Sequence, residues 1–147
     1  MKISTKIRYG ARAMLELASH YGEGPLELRE IAKKENISLK YLEQVINPLR
    51  AAGLVRSIRG SKGGYSLAKP PSKICLYDVV ETLDGPLHLL ECLHDSKVCQ
   101  KIPSCVTREI WKEISEAISK IFNSVTLEEM VNRKREKEGR TPPMYQI

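Results

Sequence analysis

Long apolar runs are absent from this chain of 147 residues. No window approaches the 18 or more apolar residues that a transmembrane helix requires. The start, MKISTKIRYGARAML, is basic but lacks the apolar stretch that follows the basic residues of a secretory signal. These absences predict a soluble, cytoplasmic protein that has no membrane partner.

Aromatic residues and catalytic motifs are also scarce. One Phe, one Trp and six Tyr supply little of the flat surface on which single-stranded bases stack. No nucleophile lies at a recognisable spacing from a base, and no metal-hydrolase motif occurs, so the sequence predicts that the protein is not an enzyme. Only four cysteines are present. In a reducing cytoplasm, a cluster of cysteines favours metal or redox chemistry over a structural disulfide.

Charge is distributed unevenly along the chain. Residues 1 to 80 carry 14 Lys and Arg against 7 Asp and Glu, a net charge of +7, whereas residues 81 to 147 carry 10 against 11, a net charge of −1. A basic first half indicates a polyanionic partner. Because aromatic residues are few, double-stranded DNA is favoured over single-stranded nucleic acid.

Three amphipathic helices are predicted in the first half. Apolar side chains recur every three or four residues from Ser4 to Tyr21, over Leu28 to Glu35, and in a third segment that Ser38 caps. The second and third helices, joined by about four residues, resemble a helix-turn-helix, whose later helix reads the major groove of DNA. The candidate DNA-reading residues of that helix are Ser38, Lys40, Tyr41, Glu43 and Gln44.

A glycine-rich hairpin follows in GLVRSIRGSKGGYSLAKP, residues 53 to 70. The pattern predicts a strand from Leu54 to Ile58, a turn, and a return strand from Tyr65 to Leu67. Glycines leave the tip free of side chains and basic residues surround it, as in a wing that contacts a DNA backbone or minor groove. The alternative is a solvated surface hairpin. The candidate DNA contacts are Arg59, Gly60 and Lys62.

A long amphipathic helix dominates the second half, from about Ser104 to Ser124. Its apolar stripe is wide enough to require a partner helix, which a second copy in a homodimer would supply. The predicted fold is therefore mainly α with a small β-hairpin wing. Its predicted parts are a winged helix-turn-helix domain (1–75), a short helix and cysteine loop (76–103), the dimerisation and final helices (104–138), and a flexible tail (139–147).

Three of the four cysteines, Cys92, Cys99 and Cys105, lie within ECLHDSKVCQKIPSC. Their Cys-x6-Cys-x5-Cys spacing is wider than the Cys-x2-Cys of most zinc sites. Thiolate ligands suit either an iron–sulfur cluster or zinc. With His94 as a fourth ligand, a Cys3His zinc site would be complete. A thiol redox switch and, less favoured, a cluster carrier protein also remain open.

The chain resembles the winged-helix iron–sulfur regulators of the Rrf2 family, in particular the IscR type. The resemblance runs from KISTKIRYGARAMLELA through ISLKYLEQVINPLRAAGLVRSIRGSKGGYSLAK to TLEEMVN, and is most specific in VRSIRGSKGGYSL and in the cysteine loop with CVTREIW. It implies a homodimeric bacterial transcription regulator that binds a DNA operator. It also implies sensing of iron–sulfur, redox or nitric-oxide status through a cluster on Cys92, Cys99 and Cys105, with [2Fe-2S] favoured over [4Fe-4S].

The fourth cluster ligand of the resembling proteins has no counterpart in this sequence. The IscR type has a histidine three residues after the third cysteine, where this chain has Arg108, and the nitric-oxide sensors have an early aspartate, where this chain has Arg8. A guanidinium stays protonated and offers no lone pair to iron. The fourth position is therefore left to water, a small thiol, an acidic side chain or His94.

Overall fold

The computed structural model describes residues 2 to 140, apart from the side chain of Arg140. This part of the chain contains seven α-helices, two short 3-10 helices and one antiparallel β-hairpin, which confirms the predicted fold class. The elements in chain order are α1 (Thr5–Ser19), α2 (Leu28–Glu35), α3 (Leu39–Ala51), β1 (Val55–Ile58), β2 (Gly64–Leu67), α4 (Leu76–Asp84), α5 (Glu91–His94), α6 (Val106–Ser124) and α7 (Leu127–Arg140).

Helices α1 and α3 begin at serine caps, and helix α2 ends at an asparagine. The hydroxyl of Ser4 accepts a hydrogen bond from the N–H of Ile7 at 3.2 Å, and that of Ser38 accepts one from Tyr41 at 3.1 Å. Such N-caps satisfy backbone donors that the first helical turn leaves without partners. Helix α2 ends at Asn36, which adopts the left-handed conformation with φ 54°. The turn between α2 and α3 is therefore short, as a helix-turn-helix requires.

The core is one cluster of apolar side chains contributed by α1 to α4, the hairpin and α7. Full burial of one such side chain stabilises the fold by about 1.5 to 3 kcal/mol. Because α4 and α7 contribute to the same cluster as the first three helices, the fold of the amino-terminal half depends on residues near the end of the chain. The fully buried aliphatic residues include Met14, Ile31, Leu42, Ile46, Leu49, Leu67, Ile74 and Leu127.

The hairpin is held against the helices by Leu26, which forms a single antiparallel bridge with Tyr65 of β2. Val55 pairs with Leu67 at its base, and Ile58 pairs with Gly64 near its tip. Leu26 adds a bridge, because its N–H donates to the carbonyl of Tyr65 at 2.8 Å and its carbonyl accepts from the N–H of Tyr65 at 2.7 Å. These two bonds fix the hairpin beside the segment between α1 and α2.

The chain returns to the amino-terminal helices after α6. The N–H of Leu76 donates to the carbonyl of Val125 at 2.8 Å, and the N–H of Leu127 donates to the carbonyl of Ile74 at 2.9 Å. Helix α7 then packs against α1. The carboxyl end of the long helix α6 is thus tied by backbone hydrogen bonds to the segment that follows the hairpin.

A buried carboxylate joins three of these helices. Glu16 of α1 is only 4% exposed and accepts hydrogen bonds from Lys34 of α2 at 2.8 Å and from Lys134 of α7 at 3.1 Å. Burial alone would raise the pKa of Glu16, but the hydrogen bonds from the two ammonium groups outweigh it and lower the pKa below 4.5. The ion pairs therefore stabilise the docking of α7 only while Glu16 is charged.

Replacing Glu16 with glutamine is expected to lower the free energy of unfolding by about 2 kcal/mol at pH 7, because Lys34 and Lys134 lose the charged acceptor of their hydrogen bonds. Since the folded-state pKa lies below 4.5, this contribution is complete above the unfolded-state pKa and disappears as the pH falls through the folded-state value. Urea unfolding from pH 3 to pH 7 measures the difference. Glu129→Gln is the control, since Glu129 pairs with Arg133 on the exposed surface, where such pairs contribute little. A Glu16→Gln loss that does not shrink with acid would contradict the prediction.

The structure differs from the sequence prediction at two helix ends. Helix α6 begins at Val106 instead of Ser104, because Ile102–Ser104 forms a separate 3-10 turn and Cys105 is extended. Helix α7 continues to Arg140, so residues 139 and 140 of the predicted tail are helical, and residues 141 to 147 lie outside the described part. None of the helices between residues 2 and 140 has both the length and the apolar character needed to cross a membrane.

Candidate DNA interface and cysteine loop

The polar face of α3 lies on the surface at the start of the helix. Lys40, Glu43 and Gln44 are exposed, and Ser38 is exposed at the cap. Tyr41 is half-buried, because its ring packs edge-on against the ring of Tyr9 with 5.8 Å between centroids. Four of the five predicted reading residues of α3 are therefore open to a ligand, and Tyr41 also contacts α1.

The tip of the hairpin carries the predicted wing residues. Arg59, Gly60 and Lys62 are all exposed. A Cβ at the neighbouring Gly63 would lie 2.2 Å from the carbonyl oxygen of Ile58. The tight turn that projects the basic residues therefore requires a glycine at that place.

A basic and aromatic group on α1, which was not predicted from the sequence as a DNA contact, lies next to the start of α3. The guanidinium groups of Arg8 and Arg12 lie 5.9 Å and 5.7 Å from the centre of the Tyr9 ring. Arg12 also forms an ion pair with Glu35 at the end of α2. The available signal was the four-residue spacing of Arg8 and Arg12 on one side of α1. Arg8, which is exposed, adds positive charge near the reading helix.

The three clustered cysteines occupy a loop that runs from α5 to the start of α6. Cys92 is half-buried in α5, Cys99 is exposed, and Cys105 is the half-buried residue immediately before α6. His94 ends α5, and its ring stacks on that of His88 with 4.9 Å between centroids. All four cysteines of the chain are free thiols.

The loop does not form a metal site in this conformation. Across residues 2 to 140, Cys, His, Asp and Glu side chains nowhere gather in threes around a point that could hold a metal ion. The donor chemistry of three thiols suits an iron–sulfur cluster or zinc, but Cys92, Cys99 and Cys105 are not grouped in this conformation as either would require. Binding would require the loop to change its shape.

Arg108 takes a structural position at the base of this loop. Its Nε and Nη2 atoms donate hydrogen bonds to the carbonyl oxygen of Cys92 at 3.3 Å and 3.2 Å. Nearby, the hydroxyl of Ser115 accepts a hydrogen bond from the N–H of Leu89 at 3.3 Å. Two residues of α6 thus hold the segment around α5, a role for Arg108 that its place in the sequence does not reveal.

The thiols differ in their acidity. A hydrogen bond with the hydroxyl of Thr107, at 3.3 Å, and the N–H of Arg108 lower the pKa of the Cys105 thiol below 9.0. Burial raises the pKa of the Cys75 thiol, which lies at the start of α4 and donates to Asp78 at 3.2 Å. Because thiolates and not thiols attack oxidants and bind metals, Cys105 is the more reactive of these two thiols.

The apolar stripe of α6 is largely uncovered in the single chain. Five large apolar residues on this helix are between 39% and 69% exposed. Exposed apolar side chains grouped on one helix are typical of an interaction site. Trp111 also lines, with Phe122, a cavity of about 550 Å³ whose other walls come from α4, from the segment that follows α4 and from the start of the chain up to α1. The exposed residues are Val106, Ile110, Trp111, Ile114 and Ile121.

Comparisons with known proteins agree with this architecture. A family model described as Rrf2, iron-dependent transcriptional regulator, matches residues 3–133. The HTH-type transcriptional regulator CymR of Bacillus subtilis (strain 168) is 45% identical over 132 residues, which are 90% of this chain and 91% of CymR. The HTH-type transcriptional regulator IscR of Serratia proteamaculans (strain 568) is 40% identical over 134 residues, which are 91% of this chain and 81% of IscR.

The solved structure of CymR, described as the global cysteine regulator of B. subtilis, superposes with a TM-score of 0.78 at 44% identity, covering 90% of this chain and 98% of CymR. These relatives are transcriptional regulators and not enzymes, which confirms the prediction that the chain has no catalytic role. Regulation of transcription by a helix-turn-helix protein implies binding to DNA. The chain therefore belongs to the Rrf2 family of transcriptional regulators.

Proposed function

We propose that this protein is a homodimeric, cytoplasmic regulator that binds a double-stranded operator and adjusts its affinity through the cysteine loop. The observation that carries the proposal is the joint exposure of three surfaces: the polar face of α3, the basic hairpin tip and the apolar stripe of α6. The first two suit a major groove and a neighbouring backbone or minor groove. The third suits a second copy of the chain, and such a dimer would place its two α3 helices on the two halves of a palindromic site.

Each candidate DNA contact has its own chemistry. Gln44 suits the paired donor and acceptor of adenine, and Glu43 suits the amino group of cytosine. Lys40 and Tyr41 suit a phosphate or a guanine edge, and the hydroxyl of Ser38 is already engaged as the cap of α3. Beyond α3, the wing residues Arg59, Gly60 and Lys62 suit a narrow minor groove or the backbone that flanks it.

An operator found by selection from a random pool of duplexes is expected to be approximately palindromic over two successive major grooves. Gln44→Ala is expected to cost about 1 to 3 kcal/mol and to relax the preference at one base pair. Lys62→Ala is expected to weaken all duplexes alike and to reduce the slope of log affinity against log salt by about 1 per half-site. Fluorescence anisotropy measures both effects, and Arg135→Ala on the exposed surface of α7 is the control. Failure to enrich any duplex sequence would refute the proposed function.

For the sensing step we propose an iron–sulfur cluster on Cys92, Cys99 and Cys105, with [2Fe-2S] favoured over [4Fe-4S]. What supports it is the resemblance to IscR and the supply of three thiols in one loop directly before the proposed dimerisation helix. A bound cluster would supply a centre that oxygen or nitric oxide degrades. This proposal requires residues 92 to 105 to rearrange, since the thiols are not grouped in the present conformation.

A second candidate is sensing through thiol chemistry without a cluster. The lowered pKa of Cys105 favours it, because a larger thiolate fraction at neutral pH makes this thiol more reactive towards oxidants. The relationship to CymR, described as a global cysteine regulator, points in the same direction. Zinc on the three cysteines and His94 is a further alternative, and a cluster carrier is the least favoured.

Protein purified without oxygen is expected to contain iron and acid-labile sulfide and to absorb visible light. Each of the substitutions Cys92→Ala, Cys99→Ala and Cys105→Ala is expected to abolish the bound iron and sulfide and the visible absorption. Cys75→Ser is the matched control, because Cys75 lies outside the loop at the start of α4. A colourless sample with one zinc per chain would establish the zinc alternative. Metal-free protein whose operator affinity falls on oxidation and recovers with a reductant would establish thiol sensing. In either case the cluster proposal is wrong.

A further inference from the structure

The middle of the cysteine loop makes no long-range hydrogen bonds in the part of the chain that the structure describes. From Asp95 to Ser104, each hydrogen bond found within the described chain links residues no more than four positions apart, such as Lys97 N–H to Asp95 Oδ1 at 2.9 Å. Cys99 lies in the middle of this stretch and is exposed. The loop between α5 and α6 is therefore held in place chiefly by what fixes its ends.

The amino-terminal end of the loop depends on a contact from outside it. Helix α5 has only four residues, too few for internal hydrogen bonds to stabilise it. Its last carbonyl groups lack helical partners, as at every helix end. The carbonyl of Cys92 instead accepts both bonds from Arg108, which lies in the first turn of α6. A planar guanidinium can direct two donors at one oxygen, which an ammonium on a flexible stem does less well.

We propose that Arg108 is a positioning residue, which anchors Cys92 to the first turn of α6 and leaves residues 95 to 104 as the part of the loop that moves when the thiols change state. The proposal deepens the sensing function proposed above and rests on it for its biological meaning. Cys105 directly precedes α6, so the anchor holds two of the three thiol-bearing residues at the base of the loop. Of the three clustered cysteines, Cys99 is then the one with the greatest freedom to approach or leave Cys92 and Cys105.

The test is hydrogen exchange of the full-length, reduced and metal-free protein. Arg108→Ala is expected to speed exchange of the hydrogen-bonded amides of Leu93 and Asp95 by roughly tenfold or more, since hydrogen bonds from a charged donor that hold α5 are lost. Arg108→Lys, which keeps the charge but not the fork, is expected to restore part of the protection. Lys112→Ala, one turn further along the exposed side of α6, should leave the loop unchanged. The later turns of α6 serve as the internal control for folding.

Equal exchange of the Leu93 and Asp95 amides in Arg108→Ala and in the unaltered protein would overturn the anchor, whatever the loop senses. Faster exchange with partial rescue by Arg108→Lys supports it. Operator affinity measured with and without metal or oxidant on the same samples separates the two proposals. If the unaltered protein binds its operator equally under all these conditions, sensing by the loop is refuted while the exchange result still decides the anchor.

Discussion

Replacing Ile114 with glutamate is expected to convert the protein from dimers to monomers and to weaken operator binding by about a hundredfold or more. Ile114 lies in the middle of the exposed apolar stripe of α6 and is 39% exposed in the single chain. In a dimer formed by two such stripes, each glutamate would be buried opposite apolar side chains without a partner. A penalty of about 3 kcal/mol, corresponding to a hundredfold weaker dimer, is at the low end for a buried unpaired charge.

The measurement is analytical ultracentrifugation over a concentration series, combined with anisotropy on the selected operator. Lys112→Gln is the matched control, because it changes the net charge by the same amount on the exposed surface of the same helix. Circular dichroism establishes that the variant still folds. A Ile114→Glu protein that remains dimeric at the same concentrations would show that α6 does not form the dimer interface.

The second large effect is expected from Gly64→Ala in the hairpin. Gly64 has a φ of +152°, and a Cβ at this position would lie 2.4 Å from the carbonyl oxygen of Leu26. That oxygen accepts the 2.7 Å hydrogen bond from Tyr65 that holds the hairpin to the helices. Since neither backbone can move without breaking the bridge, the substitution is expected to cost about 3 kcal/mol of stability, roughly 10 °C in Tm. It should also weaken operator binding by displacing the wing.

The control for Gly64→Ala is Gly60→Ala at the tip of the same hairpin. Gly60 also has a positive φ, +118°, but a Cβ there would meet nothing within 4 Å. Its substitution carries backbone strain without a collision and is expected to cost about 1 kcal/mol. Differential scanning calorimetry distinguishes the two variants. Equal losses of stability would mean that backbone strain alone, and not contact with Leu26, explains the requirement for glycine at position 64.

The helices and the hairpin could be predicted because their signals are local. Helix α2 has the predicted bounds, Leu28–Glu35, and Ser38 caps α3 through a bond to the third residue beyond it. Helix α5 was missed because four residues are too few to show a periodic pattern. Glu16 was missed for a different reason: a carboxylate within an apolar helix face has no partner visible in nearby sequence, and Lys134 lies 118 residues away.

In the candidate site, too, features with local signals could be predicted, and contacts between distant residues could not. Residue chemistry and spacing were enough to identify the polar face of α3, the basic wing, the three thiols and the apolar stripe of α6. The spacing of the thiols could not show whether they meet, because a loop of this length can close in many ways. The role of Arg108 depended on a carbonyl 16 residues earlier in the chain, which no periodicity encodes.

The sequence by itself determined which elements form and which faces are apolar, since both follow from residues within a few positions of one another. Motifs spread along most of the chain determined which family it resembles. Only the tertiary structure decided which distant groups meet: Glu16 with Lys34 and Lys134, Leu26 with Tyr65, and Arg108 with Cys92. The physical reason is that such contacts depend on how whole elements pack around a shared core. Packing is a property of the entire fold and not of any single segment.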